Sequence, residues 1–146
     1  MTMLTILPDL EAAVGDHLRD HAEIVALGAR VAGQLPRSFT APWVRLTQLD
    51  AKDAARSAWA LDERLIDYLL QLDCYAGSEA SFAQAEASTL ARTVRAVLVA
   101  MAGQTLDGVV VVTDVLIVSH ARIPDLNFKP PRERFAITAT LIAHAV

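Results

Sequence analysis

The spacing of apolar residues along the chain predicts three helical segments. Beyond Pro8, apolar residues recur at four-residue steps, which predicts an amphipathic helix over residues 8–19. The same period runs from Ala83 to Met101 and ends before a glycine, which predicts a long helix. A capping-box pattern followed by a glycine indicates a short helical piece over residues 21–27.

Four stretches carry the signature of β-strands. Residues 43–49 and 65–75 alternate large apolar side chains with polar ones. Residues 109–118 form a β-branched run, and residues 134–144 alternate again. The order helix, strand, strand, long helix, strand, strand predicts an α+β fold, with a mainly antiparallel four-stranded sheet packed on an amino-terminal helix and one long helix. Residues 50–63 form either a long loop or a short helix, and their pattern does not favour one over the other.

One face of this predicted sheet should lack a helical cover. Two helices about 10 Å across cover only one face of a four-stranded sheet roughly 19 Å wide. The 109–118 strand is nevertheless apolar on both sides, with Val109, Val111, Val115 and Ile117 on one and Val110, Val112, Leu116 and Val118 on the other. Because a water-facing antiparallel sheet normally carries polar residues outside, we expect another copy of the chain or a partner to cover this face. The alternative is that residues 50–63 fold back over it.

Composition limits the classes of protein to which the chain can belong. Its 146 residues are 53% hydrophobic and 21% charged, which is typical of a folded chain and not of a disordered one. We expect a single domain over residues 1–146, because no repeat or linker divides the sequence. The net charge of −4 disfavours a protein that grips nucleic-acid phosphates over a broad basic surface. The pattern also predicts neither a signal peptide nor a membrane helix.

Few residues have the spacing that catalysis or metal binding requires. His17 and His21 are four residues apart, as metal ligands on a helix often are, but the glutamate of the zinc motif is missing and a half-buried structural role is favoured. Asp67 and Asp73 lie roughly 20 Å apart on one strand face, too far for paired-carboxylate catalysis, and are expected to be solvent-facing or intersubunit charges. Cys74, the one cysteine, is expected to be a buried, inert thiol. We therefore predict no catalytic, cofactor or metal site.

The proline-rich segment 121–133 is the strongest candidate for a binding surface. Prolines stiffen it, and a stiff loop loses less entropy on binding. It combines apolar side chains with flanking charges, so we interpret it as a docking arm, with an ordinary solvated loop as the alternative. Trp59 is either a core residue or a second interface anchor. The candidate interface residues are Trp59, Arg122, Leu126, Phe128, Lys129, Arg132 and Arg134.

Several stretches of the sequence resemble one protein family. They are the helix start Leu7-Pro8-Asp9-Leu10-Glu11, the pieces Leu35-Pro36 and Pro42-Trp43-Val44, the strand end Gln71-Leu72-Asp73-Cys74-Tyr75-Ala76-Gly77, the helix piece Ala91-Arg92-Thr93-Val94-Arg95 and the strand Arg134-Phe135-Ala136-Ile137-Thr138-Ala139. In pattern and order these stretches resemble the tail terminator proteins of long-tailed, non-contractile bacteriophages. The resemblance covers nearly the whole chain, although none of the motifs is a catalytic signature.

The resemblance implies a structural, non-enzymatic virion protein. Such a protein forms a ring, typically of six subunits, at the head-proximal end of the tail tube. It ends polymerisation of the major tail tube protein and joins the tail to a head-completion or stopper protein, while DNA passes through the lumen. The alternatives are another phage neck or tail-completion protein, a small dimeric α+β ligand-binding domain, and a metal-dependent hydrolase that uses His17 and His21.

Overall fold

Residues 6–54, 65–77 and 82–146 are described by the computed structural model of the chain. The helices are α1 (Leu10–Asp20), α2 (Ala22–Ala26) and α3 (Ala83–Ala100). The strands are β1 (Arg30–Ala32), β2 (Trp43–Asp53), β3 (Ile66–Tyr75), β4 (Thr105–Leu106), β5 (Val110–Arg122) and β6 (Arg134–Ala145).

The six strands form one mixed sheet in the order β1-β2-β3-β6-β5-β4. β1 runs parallel to β2, and every other neighbouring pair is antiparallel. The α+β class is confirmed, but the predicted number of four strands is wrong. The four predicted strands are β2, β3, β6 and β5 in the centre of the sheet, and strands of two or three residues are too short to show a period in sequence.

The helices begin and end where local chemistry allows it. Asp9 caps α1, because its carboxylate accepts the Ala12 N–H at 3.0 Å. His21 caps α2, because its ring nitrogen accepts the Glu23 N–H at 3.2 Å. Beyond α3, Gly103 adopts a φ of 82°, a conformation in which glycine ends helices at little cost. The three predicted helices are thus confirmed within one or two residues.

α1 and α3 pack on the same face of the sheet, and α2 packs against both of them. α1 contacts β1, β2 and β4, which stand at opposite ends of the strand order, so the sheet curls around it. α3 crosses β3, β6 and β5 beside it. The buried residues between helices and sheet form one apolar core, which includes Leu10, Leu18, Leu46, Leu70, Leu72, Leu90, Val94, Leu98, Ile137 and Leu141.

Two bulges in β5 change which of its side chains face the core. The first falls between Val112 and Asp114, where one extra residue inverts the alternation of the strand. Val110 and Val112 therefore point into the core, whereas Leu116 is 63% exposed and Val118 56% exposed. The prediction that these four residues share one face is wrong, because a bulge leaves no mark in the hydrophobic pattern.

The opposite face of the sheet carries no helix among the described residues, as predicted. It is less apolar than expected, because β2, β3 and β6 place Arg45, Gln71, Asp73, Thr138 and Thr140 on it. One end of this face is covered by the segment between β5 and β6. Of residues 50–63, the first four belong to β2, which neither alternative predicted, and residues 55–63 lie outside the described residues.

No helix within the described ranges combines the length and the apolarity that a membrane crossing requires.

Candidate interaction surfaces

The connection between β5 and β6, residues 123–133, is called here the arm. It folds back onto the sheet as a closed turn. The Asp125 N–H donates to the Arg132 carbonyl at 2.8 Å, and the Arg132 N–H donates back to the Asp125 carbonyl at 3.2 Å. The Asp125 carboxylate also accepts the Asn127 N–H at 3.0 Å, which is an Asx turn. Local hydrogen bonds therefore fix the shape of the arm.

Arg132 ties the arm to two other parts of the chain. One guanidinium nitrogen donates to the carbonyls of Ala76 and Gly77 at 3.3 Å each, and another donates to the carbonyl of Phe39 at 2.8 Å. The guanidinium also stacks 4.2 Å from the centre of the Phe39 ring. Only 8% of Arg132 is exposed, so these contacts are shielded from water. Arg132 is therefore a buried cross-link between the arm, the loop before β2 and the end of β3.

Gly77 lets these segments approach so closely. A Cβ at this position would overlap backbone atoms of Thr40, Ala41 and Pro42. The Gly77 N–H donates to the Glu86 carboxylate at 2.5 Å, which joins the end of β3 to the first turn of α3. The glycine after β3 is thus needed for close packing and also ends the strand.

A network of buried charges lies beneath the arm on the helix-free face. Asp73 is 1% exposed, and its carboxylate accepts hydrogen bonds from the Arg45 guanidinium at 2.9 and 3.2 Å. The Arg134 guanidinium lies 3.9 Å from both Asp73 and Asp125. The Tyr75 hydroxyl donates to the Asp125 carboxylate at 2.8 Å. Each buried carboxylate therefore has a cationic neighbour and a hydrogen-bond donor, as burial of charge requires.

The network shifts the pKa values of two of its members. Burial on its own raises the pKa of Asp125, but hydrogen bonds from the Asn127 N–H and the Tyr75 hydroxyl, together with Arg134 and Arg45, outweigh it and hold this pKa below its usual range. Burial, helped by the hydrogen bond to Asp125, raises the pKa of Tyr75 to about 12. Asp125 thus stays ionised and Tyr75 stays protonated at neutral pH, the states that their hydrogen bond needs.

Aromatic rings complete the contact between arm and sheet. Phe39 lies with its ring centre 5.8 Å from those of Trp43 and Phe128, and 5.9 Å from that of Tyr75. Phe128 meets both Phe39 and Tyr75 edge to face. Such pairs are favourable beyond the area that they bury. This aromatic cluster closes one end of the helix-free face.

The outer side of β5 is the most open edge of the sheet. β4 pairs only with its first two residues, and no other strand in the described part of the chain pairs with its outer side. The Asp114 carboxylate accepts the Val115 N–H at 2.9 Å and so shields one backbone group. Beyond it, the exposed Leu116 and Val118 lie on the strand. An unpaired strand edge with apolar side chains is a common site of association.

The remaining polar candidates have structural surroundings. The rings of His17 and His21 lie 5.8 Å apart, and partial burial, together with His21, lowers the pKa of His17. The ranges that the structure covers hold no group of three or more His, Cys, Asp and Glu side chains placed to bind a metal. Cys74 is fully buried in the core, which confirms the prediction of a buried cysteine, and burial raises the pKa of its thiol.

Residues 12–129 match the family described as tail completion protein gp17. The chain belongs to this tail completion family. No curated protein sequence matches it. A chain in the solved virion of a native gene transfer agent particle is similar, with a TM-score of 0.68 and 21% identity over 92% of this chain and 94% of that chain. The likeness to that chain shows the fold.

Membership of this family makes the chain a structural protein of the virion tail. This confirms the expected family and location at the level of a phage tail protein. The predicted interface stays a prediction. The structure shows which of its residues are exposed.

Three of the seven predicted interface residues of the tail completion protein turn inward. Phe128 is half-buried against the aromatic cluster, Arg132 is buried, and Arg134 belongs to the charge network. Arg122 is exposed and is paired with Glu133 at 2.7 Å. These four side chains contact their own subunit, and their predicted role in an interface stays a prediction.

Two predicted residues point outward, and one lies outside the described residues. Leu126 is 77% exposed at the tip of the arm, and Lys129 is exposed near it. Trp59 falls in residues 55–64, outside the described residues. Of the predicted set, Leu126 and Lys129 thus remain as the outward candidates of the tail completion protein.

The sequence interpretation missed the charge network. Asp73 was expected to be solvent-facing or intersubunit, but it is buried between Arg45 and Arg134. A signal for one of these pairs exists, because Arg45 and Asp73 are opposite charges on facing polar positions of adjacent strands. The contact of Tyr75 with Asp125 joins residues 50 positions apart and has no local signal.

Proposed function

We propose that the protein forms a homo-oligomeric ring of six subunits at the head-proximal end of the tail tube. There it ends polymerisation of the major tail tube protein and offers a surface to a head-completion or stopper protein. The observation that carries this proposal is membership of the tail completion family over most of the chain. A protein that completes a tail has to act at an end of the tube.

The open edge of β5 supports self-association. Leu116 and Val118 expose more than half of their surface on the part of β5 that lies beyond its pairing with β4, where no described strand covers its outer side. Contact between two different patches on identical subunits closes into a ring when the rotation between them allows it. The same edge would leave an isolated subunit with apolar surface in water.

The charge of the chain is compatible with passage of DNA through such a ring. Each subunit contributes a formal charge of −4. A strongly basic lumen would hold phosphates by counterion release and retard the DNA. A subunit with a net negative charge is therefore compatible with DNA as a transient occupant of the ring.

A tube-length assay tests the proposal directly. Purified tail tube subunits are polymerised with increasing amounts of this protein, and tube lengths and end structures are measured by electron microscopy. We expect shorter tubes that carry a ring at one end only. An unchanged length distribution with bare ends would contradict the terminator role, and it is also what a small ligand-binding dimer would give.

A further inference from the structure

We propose that Leu126, at the tip of the arm, inserts into an apolar groove on a neighbouring copy of this chain. The inference deepens the proposed ring and rests on it, because it names the contact between successive subunits. It depends on three observations, which are the rigid support of Leu126, the groove beside α3, and the charges next to each of them.

The arm fixes the position of Leu126 before any partner binds. It follows Asp125, whose backbone and carboxylate are both fixed within the arm, and the arm is tied to the sheet by Arg132. Leu126 is nevertheless 77% exposed, while Phe128 beside it packs against the sheet. An apolar side chain on a rigid loop loses little conformational entropy on docking, which is the usual property of an interface anchor.

The groove has the size and the lining that a leucine side chain needs. It has a volume of about 270 Å³. A cavity of roughly 150 Å³ is enough to hold a benzene molecule, so a leucine side chain fits. Phe82 on its wall is 59% exposed, which leaves an aromatic surface for a partner to cover. The lining residues are Leu27, Pro42, Phe82, Ala85, Glu86, Thr89 and Leu90.

The groove is not filled by the arm of its own subunit. Leu126 is 77% exposed and is not among the residues that line the groove, so a neighbouring copy is the occupant that can supply it. Because Leu126 and the groove belong to different surfaces of the subunit, this contact is heterologous and can repeat around a ring.

Charge supports the same pairing. Lys129 is exposed on the arm near Leu126, and Glu86, whose carboxylate also accepts the Gly77 N–H, lies in the lining of the groove. The cation beside Leu126 and the anion beside the groove attract each other when Leu126 is inserted. Charge pairs of this kind guide orientation and suppress wrong contacts more than they add affinity.

Engineered disulfides test the contact. Leu126→Cys and Ala85→Cys are made as separate variants, and Cys74 needs no replacement because it is fully buried. Under oxidation we expect a covalent dimer only when the two variants are mixed. The double variant should give a ladder of linked subunits up to the ring. Homodimers of either single variant, or no cross-link under conditions where rings form, would overturn the inference while the proposed ring stands.

Variants that empty or fill the contact provide an independent measurement. Leu126→Asp removes the apolar side chain and Ala85→Trp fills the groove, and we expect each to weaken self-association at least tenfold in sedimentation experiments. Val99→Asp is the matched control, since Val99 is an apolar residue 50% exposed on α3 outside the groove. Equal effects of all three variants would overturn the inference. A wild-type chain that stays monomeric even with tail tube subunits would overturn both the inference and the proposed ring.

Discussion

The two faces of the sheet are held by different physical means. The helix side is closed by α1, α2 and α3 over a continuous apolar core, where stability comes from burial without directional constraint. The helix-free face is closed only at one end, by an arm that uses buried charges, carbonyl contacts and aromatic edges. The comparison shows that the first face determines the fold, whereas the second places a rigid arm and leaves open surface for assembly.

The same division is visible within the arm. Its inward side chains, Arg132 and Phe128, contact the sheet and are covered or half-covered, as is Arg134 at the adjoining start of β6. Its outward side chains, Leu126 and Lys129, touch little of their own subunit. The first set should therefore govern stability and the second set association. The predictions below test this division, beginning with the largest expected change in stability.

Leu72→Ala should have the largest effect, because Leu72 is fully buried in the core. We expect a loss of about 3 kcal/mol in the free energy of unfolding, from lost burial and the cavity left behind. Leu69→Ala is the matched control in the same strand, since Leu69 is half-buried on the helix-free face. Urea unfolding measures both. Equal losses would contradict the difference between the two faces.

Arg132→Met should be the most damaging change in the arm. The methionine keeps apolar bulk but leaves the carbonyls of Phe39, Ala76 and Gly77 without their donor. We expect a loss of about 2 kcal/mol, and little recovery with Arg132→Lys, because an ammonium cannot reach these carbonyls in the geometry of a planar guanidinium. Lys129→Met is the control and should stay within about 0.5 kcal/mol. If Arg132→Met left the free energy of unfolding unchanged, the contacts of Arg132 would contribute nothing to stability.

Asp125→Asn should have a smaller, pH-dependent effect of about 1 kcal/mol at neutral pH. The folded chain lowers the pKa of Asp125, so its charged form adds stability above the ordinary carboxyl pKa of about 3.9. That contribution is lost as the pH falls through the lowered value. Unfolding curves of both proteins should therefore converge in acid. A gap that is constant from pH 7 to strong acid would rule out an ionic role for Asp125.

Leu126→Lys should leave stability within about 0.5 kcal/mol of wild type, because a residue that is 77% exposed loses little on substitution. Self-association should nevertheless fall. Thermal unfolding of the dilute protein and sedimentation of the concentrated protein separate the two properties. A large loss of stability would place Leu126 among the inward residues of the arm and remove the division proposed for it.

The elements of the fold that could be predicted from sequence are those whose period repeats. β3 alternates over its whole length, and α3 keeps one apolar face over five turns, so both are evident in the sequence. β1 and β4 are too short to alternate, and the bulges in β5 invert a pattern that continues apolar on both sides. β1, β4 and the bulges can be identified only when it is known which strands pair with them.

The candidate site was only partly predictable for a related reason. The proline and charge content of residues 121–133 marked the arm, but its side chains alone do not tell which of them find partners. Arg132 faces inward because Gly77 lets the loop before β2 approach, and the Tyr75 hydroxyl donates to the arm because Asp125 lies above it. These are contacts between segments that are distant in the chain, and a local pattern contains no information about them.

Native mass spectrometry of the purified chain, alone and with tail tube subunits, tests the central claim most directly. The claim is that this tail completion protein works as a ring of identical subunits. We predict a closed species of six chains that persists when tube subunits are added and then appears bound to them. A chain that remains monomeric under both conditions, or that binds the tube subunits as a single copy, would contradict the claim.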